Sequence, residues 1–257
     1  MIHPTAIVHS GATLARDVEI GPYAVIGEHV EIGSGTSVGS HAVVTGRTRI
    51  GEGNRLFHHC VLGEVPQDKK YSGEPTRLEI GDHNVIREFC TFNIGTVQDV
   101  GVTRVGDHNW IMAYVHLAHD SQVGSHTVLA NMVTLAGHVT IHDHVVLGGG
   151  TMVHQFCRVG AHAMVGGYTV LTRDVMPYSL TVTEREPRVF GANKLGLERR
   201  GFPAEVIQSL HKAFRLLANS ALNTTQALER IEAEIEPFEE IVELVRFIRS
   251  TERGVIK

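Results

Sequence analysis

Residues 105–146 read, in blocks of six, VGDHNW IMAYVH LAHDSQ VGSHTV LANMVT LAGHVT IHDHVV. Every block opens with an aliphatic residue. Neither an α-helix nor an isolated strand of period two spaces aliphatic residues six apart. The pattern therefore predicts a repeat architecture, in which each block supplies one short strand and one bend with the opening side chain directed inward.

The same spacing runs through most of the chain and is interrupted twice. The inward positions are Ile2, Val8, Leu14, Ile20, Ile26, Ile32, Val38, Val44, Ile50, Leu56 and Leu62, then Ile80, Ile86 and Phe92, then Val105, Ile111, Leu117, Val123, Leu129, Leu135, Ile141, Leu147, Val153, Val159, Val165 and Leu171. Three blocks would form a coil of 18 residues, and coils would stack about 4.8 Å apart with parallel hydrogen bonding. Residues 18 apart should therefore lie directly above one another.

The pattern divides the chain into three parts. We predict a β-helix over residues 1–176 with loops at 63–79 and 93–104, an irregular connector at 177–190, and a helical domain over 191–257 that caps the solenoid. Long loops in a compact fold are usually functional. Helical spacing of apolar residues predicts helices at Pro203–Asn219, Thr225–Ile235 and Phe238–Ser250.

Composition excludes several classes of partner. The net charge of −5 gives no reason to expect a nucleic-acid partner, although it leaves room for a local basic cluster. The N-terminus lacks the features of a signal peptide, and no apolar run is long enough to span a membrane. The three cysteines, Cys60, Cys90 and Cys157, occupy equivalent small positions and read as structural thiols in a reducing compartment. We therefore expect a soluble, cytoplasmic protein with no stable membrane insertion.

Twelve of the 17 histidines can be sorted into two groups by their position in the repeat. Nine lie three places after an inward residue and are expected to be solvated bend residues: His29, His41, His59, His83, His108, His126, His138, His144 and His162. His116, His119 and His154 do not follow that rule, so the bend preference does not explain them.

Stacking should align several of these side chains. The inward residues Leu117, Leu135 and Val153 are 18 apart, so we expect a row of imidazoles on the outside of their coils. Its members would come from His119, Gly137, His138, His154 and Gln155. The row could be an accident of a histidine-rich chain, a metal site or a general base. We disfavour a metal, because stacked coils should hold the side chains too far apart for one coordination sphere.

The chain resembles, over essentially its whole length, the UDP-N-acetylglucosamine O-acyltransferase family. The resemblance rests on five motifs in this order: Gln67–Thr76, His116–Asp120, Leu135–Val139, Val153–Cys157 and Arg199–Phe202. Hexapeptide repeats alone are shared by many acyltransferases, whereas this combination is highly specific.

The resemblance implies a left-handed parallel β-helix with a small C-terminal helical domain. It also implies transfer of an (R)-3-hydroxyacyl group from acyl carrier protein to the 3-hydroxyl of UDP-N-acetylglucosamine, the first step of lipid A biosynthesis. Members are homotrimers with active sites between subunits. They need no metal or diffusible cofactor.

The resemblance also assigns roles to residues. His119 matches the general base, Asp120 orients it, and the Gly137 N–H matches the oxyanion donor. Substrate-positioning residues match Asp68, Lys70, His116, His138, His154 and Gln155; nucleotide and phosphate contacts match Asn193, Arg199 and Arg200; and the positions that limit acyl length match Met164 and Gly167. From the residues alone, Asp68 with Lys70 also reads as an exposed ion pair, and Arg199–Arg200 as a solvated segment.

Three departures from the family pattern leave the acceptor open. Asn93-Ile94 stands where a His-Arg pair is usual, residues 183–190 lack the usual connector sequence, and Leu195 replaces a common acidic residue. The alternatives are a related enzyme that acts on a 3-amino analogue of the sugar, an acyltransferase with another donor such as acyl-CoA, and a non-catalytic scaffold. Retention of His119, Asp120 and Gly137 argues against the scaffold.

Overall fold

A computed structural model describes residues 1–183, 187–218 and 221–256. The chain folds as a left-handed parallel β-helix with three sheets. Sheet A contains β3 (Glu19–Ile20), β6 (Ser37–Val38), β9 (Arg55–Leu56), β12 (Val85–Ile86), β15 (Trp110–Ile111), β18 (Val128–Leu129), β21 (Val146–Leu147), β24 (Met164–Val165), β26 (Ser179–Thr183) and β27 (Pro187–Ala192).

The other two sheets complete each coil. Sheet B contains β1 (Ile7–Val8), β4 (Val25–Ile26), β7 (Val43–Val44), β10 (Val61–Glu64), β13 (Thr91–Asn93), β16 (His116–Leu117), β19 (Thr134–Leu135), β22 (Met152–Val153) and β25 (Val170–Leu171). Sheet C contains β2 (Thr13–Leu14), β5 (Val30–Ile32), β8 (Arg47–Ile50), β11 (Arg77–Ile80), β14 (Val102–Val105), β17 (Gln122–Val123), β20 (Thr140–Ile141) and β23 (Arg158–Val159). Each coil passes from B to C to A, and we call the bends between sheets the BC, CA and AB corners.

The predicted stacking register is confirmed. Leu117 pairs with Leu135, and Leu135 pairs with Val153, so residues 18 apart are neighbours in adjacent coils. Leu117 and Leu135 are completely buried. Burying a side chain of this size contributes about 1.5–3 kcal/mol, and the repeat places one at every coil of every sheet. The inward ladder is therefore the main stabilising feature of the solenoid.

The corners hold columns of stacked rings. Eight of the nine bend histidines have positive φ, with His29 the exception. The AB column is formed by Tyr23, His41, His59, Phe89 and Tyr114, and the CA column by His83, His108, His126, His144, His162 and Tyr178. Ring centroids are 4.5–5.5 Å apart in the CA column. Six of the nine, His29, His41, His59, His83, His108 and His126, are exposed, so the expectation that most are solvated bend residues is confirmed. The expectation did not include the stacking, which follows from the same 18-residue period.

Both interruptions of the repeat leave the solenoid at the BC corner. The first connects β10 to β11 and the second connects β13 to β14, and the flanking strands extend a few residues into the predicted loops. The two loops contact each other, because the Thr76 hydroxyl donates to the Gly95 carbonyl at 2.6 Å.

The connector is not irregular as predicted. Ser179–Thr183 pairs in parallel with β24, and Pro187–Ala192 pairs antiparallel with Ser179–Thr183. After Pro177 the chain thus continues into the next position of sheet A before it turns back. Residues 184–186 of the predicted connector lie outside the described residues.

A second hydrophobic core lies in the C-terminal part. Its helices are α1 (Lys194–Arg199), α2 (Ala204–Leu217), α3 (Thr224–Glu234) and α4 (Glu239–Arg249). The last three match the predicted helices within one or two residues, Asn219 lying outside the described part; the short α1 was not predicted. The Tyr178 hydroxyl contacts the Glu243 carboxylate and ties α4 to the solenoid. Among the described residues, no helix has both the length and the apolar character to cross a membrane.

Candidate active site at the BC corner

The central feature is a hydrogen-bonded pair, His119 and Asp120. His119 Nδ1 lies 3.0 Å from Asp120 Oδ2. Only 14% of the His119 side chain is exposed, and the Asp120 side chain is fully buried. A carboxylate can only accept, so this contact places the imidazole proton on Nδ1 and leaves a lone pair on Nε2. The pair thus presents a base at the surface of the corner.

Asp120 is held by the second loop. Both of its oxygens accept from the Thr96 N–H, at 3.1 and 3.0 Å, and Oδ2 also accepts from the Thr96 hydroxyl at 2.6 Å. Its own N–H donates to the Thr103 hydroxyl at 2.9 Å. Burial disfavours the charged carboxylate, but hydrogen bonds from His119 and Thr96 outweigh burial and hold the pKa of Asp120 below its ordinary value. Asp120 is therefore ionised at neutral pH.

Gly137 lies one coil further along, against the His119 ring. A Cβ at Gly137 would come within 2.7 Å of His119 Cε1 and 2.8 Å of Nε2, so only glycine leaves room for the imidazole there. Among the described residues, none accepts a hydrogen bond from the Gly137 N–H. An unbonded N–H next to a base is the arrangement that an oxyanion site requires.

His138 is the second imidazole of this corner. Its ring meets the His119 ring edge to face, with centroids 4.9 Å apart, and stacks on Phe156 at 4.4 Å. His138 Nδ1 lies 2.6 Å from Asp99 Oδ2.

The predicted row of three imidazoles is wrong. The register places Gly137 and Gln155 above His119, and it places His138 and Phe156 above Asp120. His154 belongs to a different column and is exposed; its Nδ1 lies 3.1 Å from the Gln155 carbonyl oxygen and 3.3 Å from an Arg253 nitrogen.

His116 lies beside this corner, on the outer face of sheet B. Its Nδ1 lies 2.8 Å from the Thr91 hydroxyl. Burial lowers the pKa of His116, so the ring is neutral at physiological pH. A neutral, half-buried imidazole can orient a substrate hydroxyl without adding charge.

The geometric argument against a metal is also wrong. Ligand atoms of His119, Asp120 and His138 all lie within 4.8 Å of one another, which is close enough for one coordination sphere. The same atoms already bond to each other, to Thr96 and to Asp99. A bound ion would have to displace these contacts, so the geometry permits a metal but does not require one.

Asp68 and Lys70 lie on the first loop. Asp68 accepts from the Lys70 N–H at 3.0 Å, a turn contact rather than a side-chain ion pair. The Lys70 side chain is exposed, and the loop is fastened at its far end by Thr76.

The predicted nucleotide-binding residues lie elsewhere, beside the CA column. Asn193 caps α1 and donates to the His162 carbonyl, and Arg200 donates to the His144 carbonyl at 2.9 Å. Arg199 is exposed on α1. One chain therefore presents two groups of predicted site residues, at the BC and CA corners, on either side of sheet C.

The predicted acyl-length residues lie on and just after sheet A. Met164 is 38% exposed and projects outward from β24. Gly167 faces the preceding coil, where a Cβ would come within 3.0 Å of the Gly149 carbonyl oxygen. A large side chain at Gly167 must therefore point into the solvent-facing space along the coils.

The unusual pair Asn93-Ile94 is buried. Both residues are 4% exposed, and the Asn93 amide donates to the Val65 carbonyl at 3.0 Å. Asn93 thus fastens the start of the first loop. Neither side chain presents a polar group on the surface near His119.

Sequence reasoning missed three residues that support the pair. Thr96, Asp99 and Thr103 come from the second loop and the strand that follows it, and they hold Asp120 and His138. The 18-residue period could not reveal Thr96 and Asp99, because the loop lies outside the repeat.

A groove of about 670 Å³ lies on the face of sheet C, but its lining, which includes Arg49, Glu79, His142 and Glu243, does not include His119. This groove is therefore separate from the His119–Asp120 pair.

The fold and the corner chemistry together define a class, the acyltransferases built on a hexapeptide-repeat β-helix. Residues 11–46 and 103–137 match the family described as bacterial transferase hexapeptide (six repeats). The chain belongs to the UDP-N-acetylglucosamine O-acyltransferase family, and residues 174–256 match the second domain of that family.

Relatives align along the whole chain. The protein is 56% identical to the acyl-[acyl-carrier-protein]–UDP-N-acetylglucosamine O-acyltransferase of Thiobacillus denitrificans, over 100% of this chain and 99% of that protein. The solved structure of LpxA from Acinetobacter baumannii matches with 44% identity and a TM-score of 0.95, over 100% of this chain and 99% of that one. LpxA from Bacteroides fragilis, a UDP-N-acetylglucosamine acyltransferase, matches with 40% identity and a TM-score of 0.97 over all of both chains.

Proposed function

We propose that the protein transfers an (R)-3-hydroxyacyl group from acyl carrier protein to the 3-hydroxyl of UDP-N-acetylglucosamine, the first step of lipid A biosynthesis. The observation that carries the proposal is the His119–Asp120 pair, packed against a glycine with an unbonded N–H. Relatives that are 56% and 54% identical to this chain bear names that state acyl-acyl carrier protein as the donor and UDP-N-acetylglucosamine as the acceptor.

The reaction follows from these groups. His119 Nε2 takes the proton of the sugar 3-hydroxyl, and the oxygen attacks the thioester carbonyl. The Gly137 N–H donates to the tetrahedral oxyanion. As the intermediate collapses, the carbon–sulfur bond breaks and the imidazolium returns its proton to the departing thiolate. Asp120 stabilises the imidazolium between the two transfers.

Other residues position the substrates in this proposal. His116, His138, His154, Gln155, Asp68 and Lys70 surround the reacting groups, and Asn193, Arg199 and Arg200 contact the nucleotide or its phosphates. Two guanidinium groups suit a diphosphate, because each can form paired hydrogen bonds with phosphate oxygens.

We further propose a homotrimer whose active sites lie between subunits. The BC and CA groups face different sides of one chain, so a site that unites them needs a second chain. The outward positions of sheet B support the assembly: Ile7 is 65% exposed, Met152 52% and Val170 51%, whereas sheet C presents charged residues such as Arg49 and Glu79. Met152 and Val170 are neighbours on the last two strands of this sheet, and exposed apolar neighbours of this kind are typical of an interaction surface. Sedimentation that shows a stable monomer at micromolar concentration would contradict this assembly.

Met164 and Gly167 set the acyl length in this proposal. The chain would run along the coils of sheet A, where glycine leaves room for a long 3-hydroxyacyl group. The cytoplasmic location proposed from the sequence fits the three cysteines, which are free and buried.

A panel of donors and acceptors tests the proposal. The purified protein is incubated with 3-hydroxyacyl carrier protein or the matching acyl-CoA, and with UDP-N-acetylglucosamine or its 3-amino analogue. We expect the carrier protein and the 3-hydroxyl sugar to give the fastest initial rate. The buried Asn93-Ile94 pair gives no polar contact that would favour the amine. A faster rate with the amine would instead identify the paralogous activity, and no transfer in any combination would favour a scaffold.

A further inference from the structure

The BC corner contains a second imidazole–carboxylate contact that the proposed reaction does not use. Asp99, in the second loop, accepts a hydrogen bond from His138, with its Oδ2 atom 2.6 Å from His138 Nδ1. The His138 side chain is 12% exposed and that of Asp99 is 39% exposed. A contact this short between a carboxylate and an imidazole is a charge-assisted hydrogen bond.

Three contacts fix the His138 ring. Phe156 stacks on one face at 4.4 Å, the His119 ring meets it edge to face at 4.9 Å, and Asp99 holds Nδ1. The stack and the edge contact define the plane of the ring but do not choose between its two nitrogens. Only the carboxylate does so, because an acceptor at Nδ1 requires the proton there.

One loop therefore serves both imidazoles. Thr96 holds Asp120, which holds His119, and three residues further on Asp99 holds His138 directly. His138 Nδ1 is also 4.0 Å from Asp120 Oδ2. The His119–Asp120 and His138–Asp99 pairs are therefore close enough to interact electrostatically.

We propose that Asp99 is a positioning residue for catalysis, which keeps the proton of His138 on Nδ1 and leaves Nε2 to accept a hydrogen bond from a hydroxyl or amide N–H of the substrate. The inference rests on the proposed acyl transfer. Asp99 does not touch the reacting atoms; it acts through His138.

The kinetic test compares Asp99→Asn with Asp99→Ala. Asparagine is nearly the same shape, but its amide can either accept from Nδ1–H or donate to a bare Nδ1, so the choice of nitrogen is lost. We expect kcat/KM to fall about tenfold in both variants, which is the scale of one hydrogen bond. Asp17→Asn is the matched control, because Asp17 is also an exposed carboxylate that accepts from Ser34 and Gly35, in the first coils. It should retain wild-type activity.

A double-mutant cycle separates positioning from loop fastening. In a His138→Ala background, the Asp99→Asn change should cost less than twofold, since the residue through which Asp99 acts is absent. An undiminished tenfold loss in that background would overturn the proposal and leave Asp99 as a fastener of the loop. Wild-type kcat/KM in both single variants would overturn it as well.

A readout without substrate keeps this inference distinct from the proposed function. Side-chain ¹⁵N resonances of His138 in the full chain report which nitrogen bears the proton. We expect a protonated Nδ1 in the wild-type protein and a mixture of tautomers in Asp99→Asn. A proton on Nε2 in the wild type would overturn the inference whatever the enzyme acylates, whereas the expected spectrum from a protein without transferase activity would contradict the proposed function alone.

Discussion

Substitution of Gly137 by alanine tests the geometry of the base. The added methyl carbon would lie 2.7 Å from His119 Cε1, whereas ordinary contact begins near 3.4 Å, so the ring must retreat by about 0.7 Å. A displacement of about 1 Å at a reacting group can cost on the order of 10²-fold. Because Gly137 does not have positive φ, alanine adopts the same backbone without strain. We therefore expect kcat to fall on the order of 100-fold while the free energy of unfolding changes by no more than about 1 kcal/mol.

The assay measures release of the carrier-protein thiol in the presence of UDP-N-acetylglucosamine, alongside urea unfolding. Gly27→Ala is the matched control, because its methyl would come no closer than 3.2 Å to Thr45, and neither Gly27 nor Thr45 is a predicted site residue. The control should keep the wild-type rate. If Gly137→Ala turns over at more than about a third of the wild-type rate, His119 does not need the position that it occupies against this glycine.

Four further substitutions probe the base, the acyl-binding region and the CA column. His119→Ala should lose about 10²–10⁴-fold in kcat with the Tm and the proposed assembly unchanged, whereas the control His162→Ala should cost little activity. Retention of more than a tenth of the wild-type rate by His119→Ala would mean that another residue takes the proton. Gly167→Met should reject a long 3-hydroxyacyl chain that the wild type accepts, and equal use of short and long chains by both would refute the length limit. Burial, aided by the charges of His144 and Arg200, lowers the pKa of His162 to about 4. The unfolded chain, with an imidazole pKa of about 6.5, then binds more protons than the folded chain between about pH 6.5 and 4. The free energy of unfolding should therefore fall as the pH is lowered through that window. His162→Phe should reduce this loss by about 1–2 kcal/mol, after a discount for partial exposure, when the free energy of unfolding in urea is compared at pH 7 and pH 4.5. The assignment would be contradicted if the variant lost as much stability between these two pH values as the wild type does.

The sequence was sufficient to predict the solenoid because its period is set by local packing. An aliphatic residue every six positions has one compact solution, and the pairing of Leu117 with Leu135 follows directly. The same 18-residue spacing was enough to predict which side chains stack at the BC corner, since 18 residues separate Asp120 from His138 and His138 from Phe156. The expected row of imidazoles failed because it grouped residues by block and did not count each position within the block.

The support of the site could not be read from the period. Thr96 and Asp99 reach Asp120 and His138 from a loop whose conformation depends on contacts with the other loop, such as the one between Thr76 and Gly95. The hairpin after Pro177 was missed for a related reason. Its strands carry no six-residue signature, and their pairing is set by the open edge of sheet A.

The chemical structure of the product tests the proposed acyl transfer directly. The full-length protein is incubated with a 3-hydroxyacyl carrier protein and UDP-N-acetylglucosamine, and the sugar nucleotide is recovered for mass spectrometry and proton NMR. We expect one added 3-hydroxyacyl group, esterified at the 3-oxygen, with one equivalent of free carrier-protein thiol. Recovery of unmodified sugar nucleotide, or of an acyl group at any other position, would contradict it.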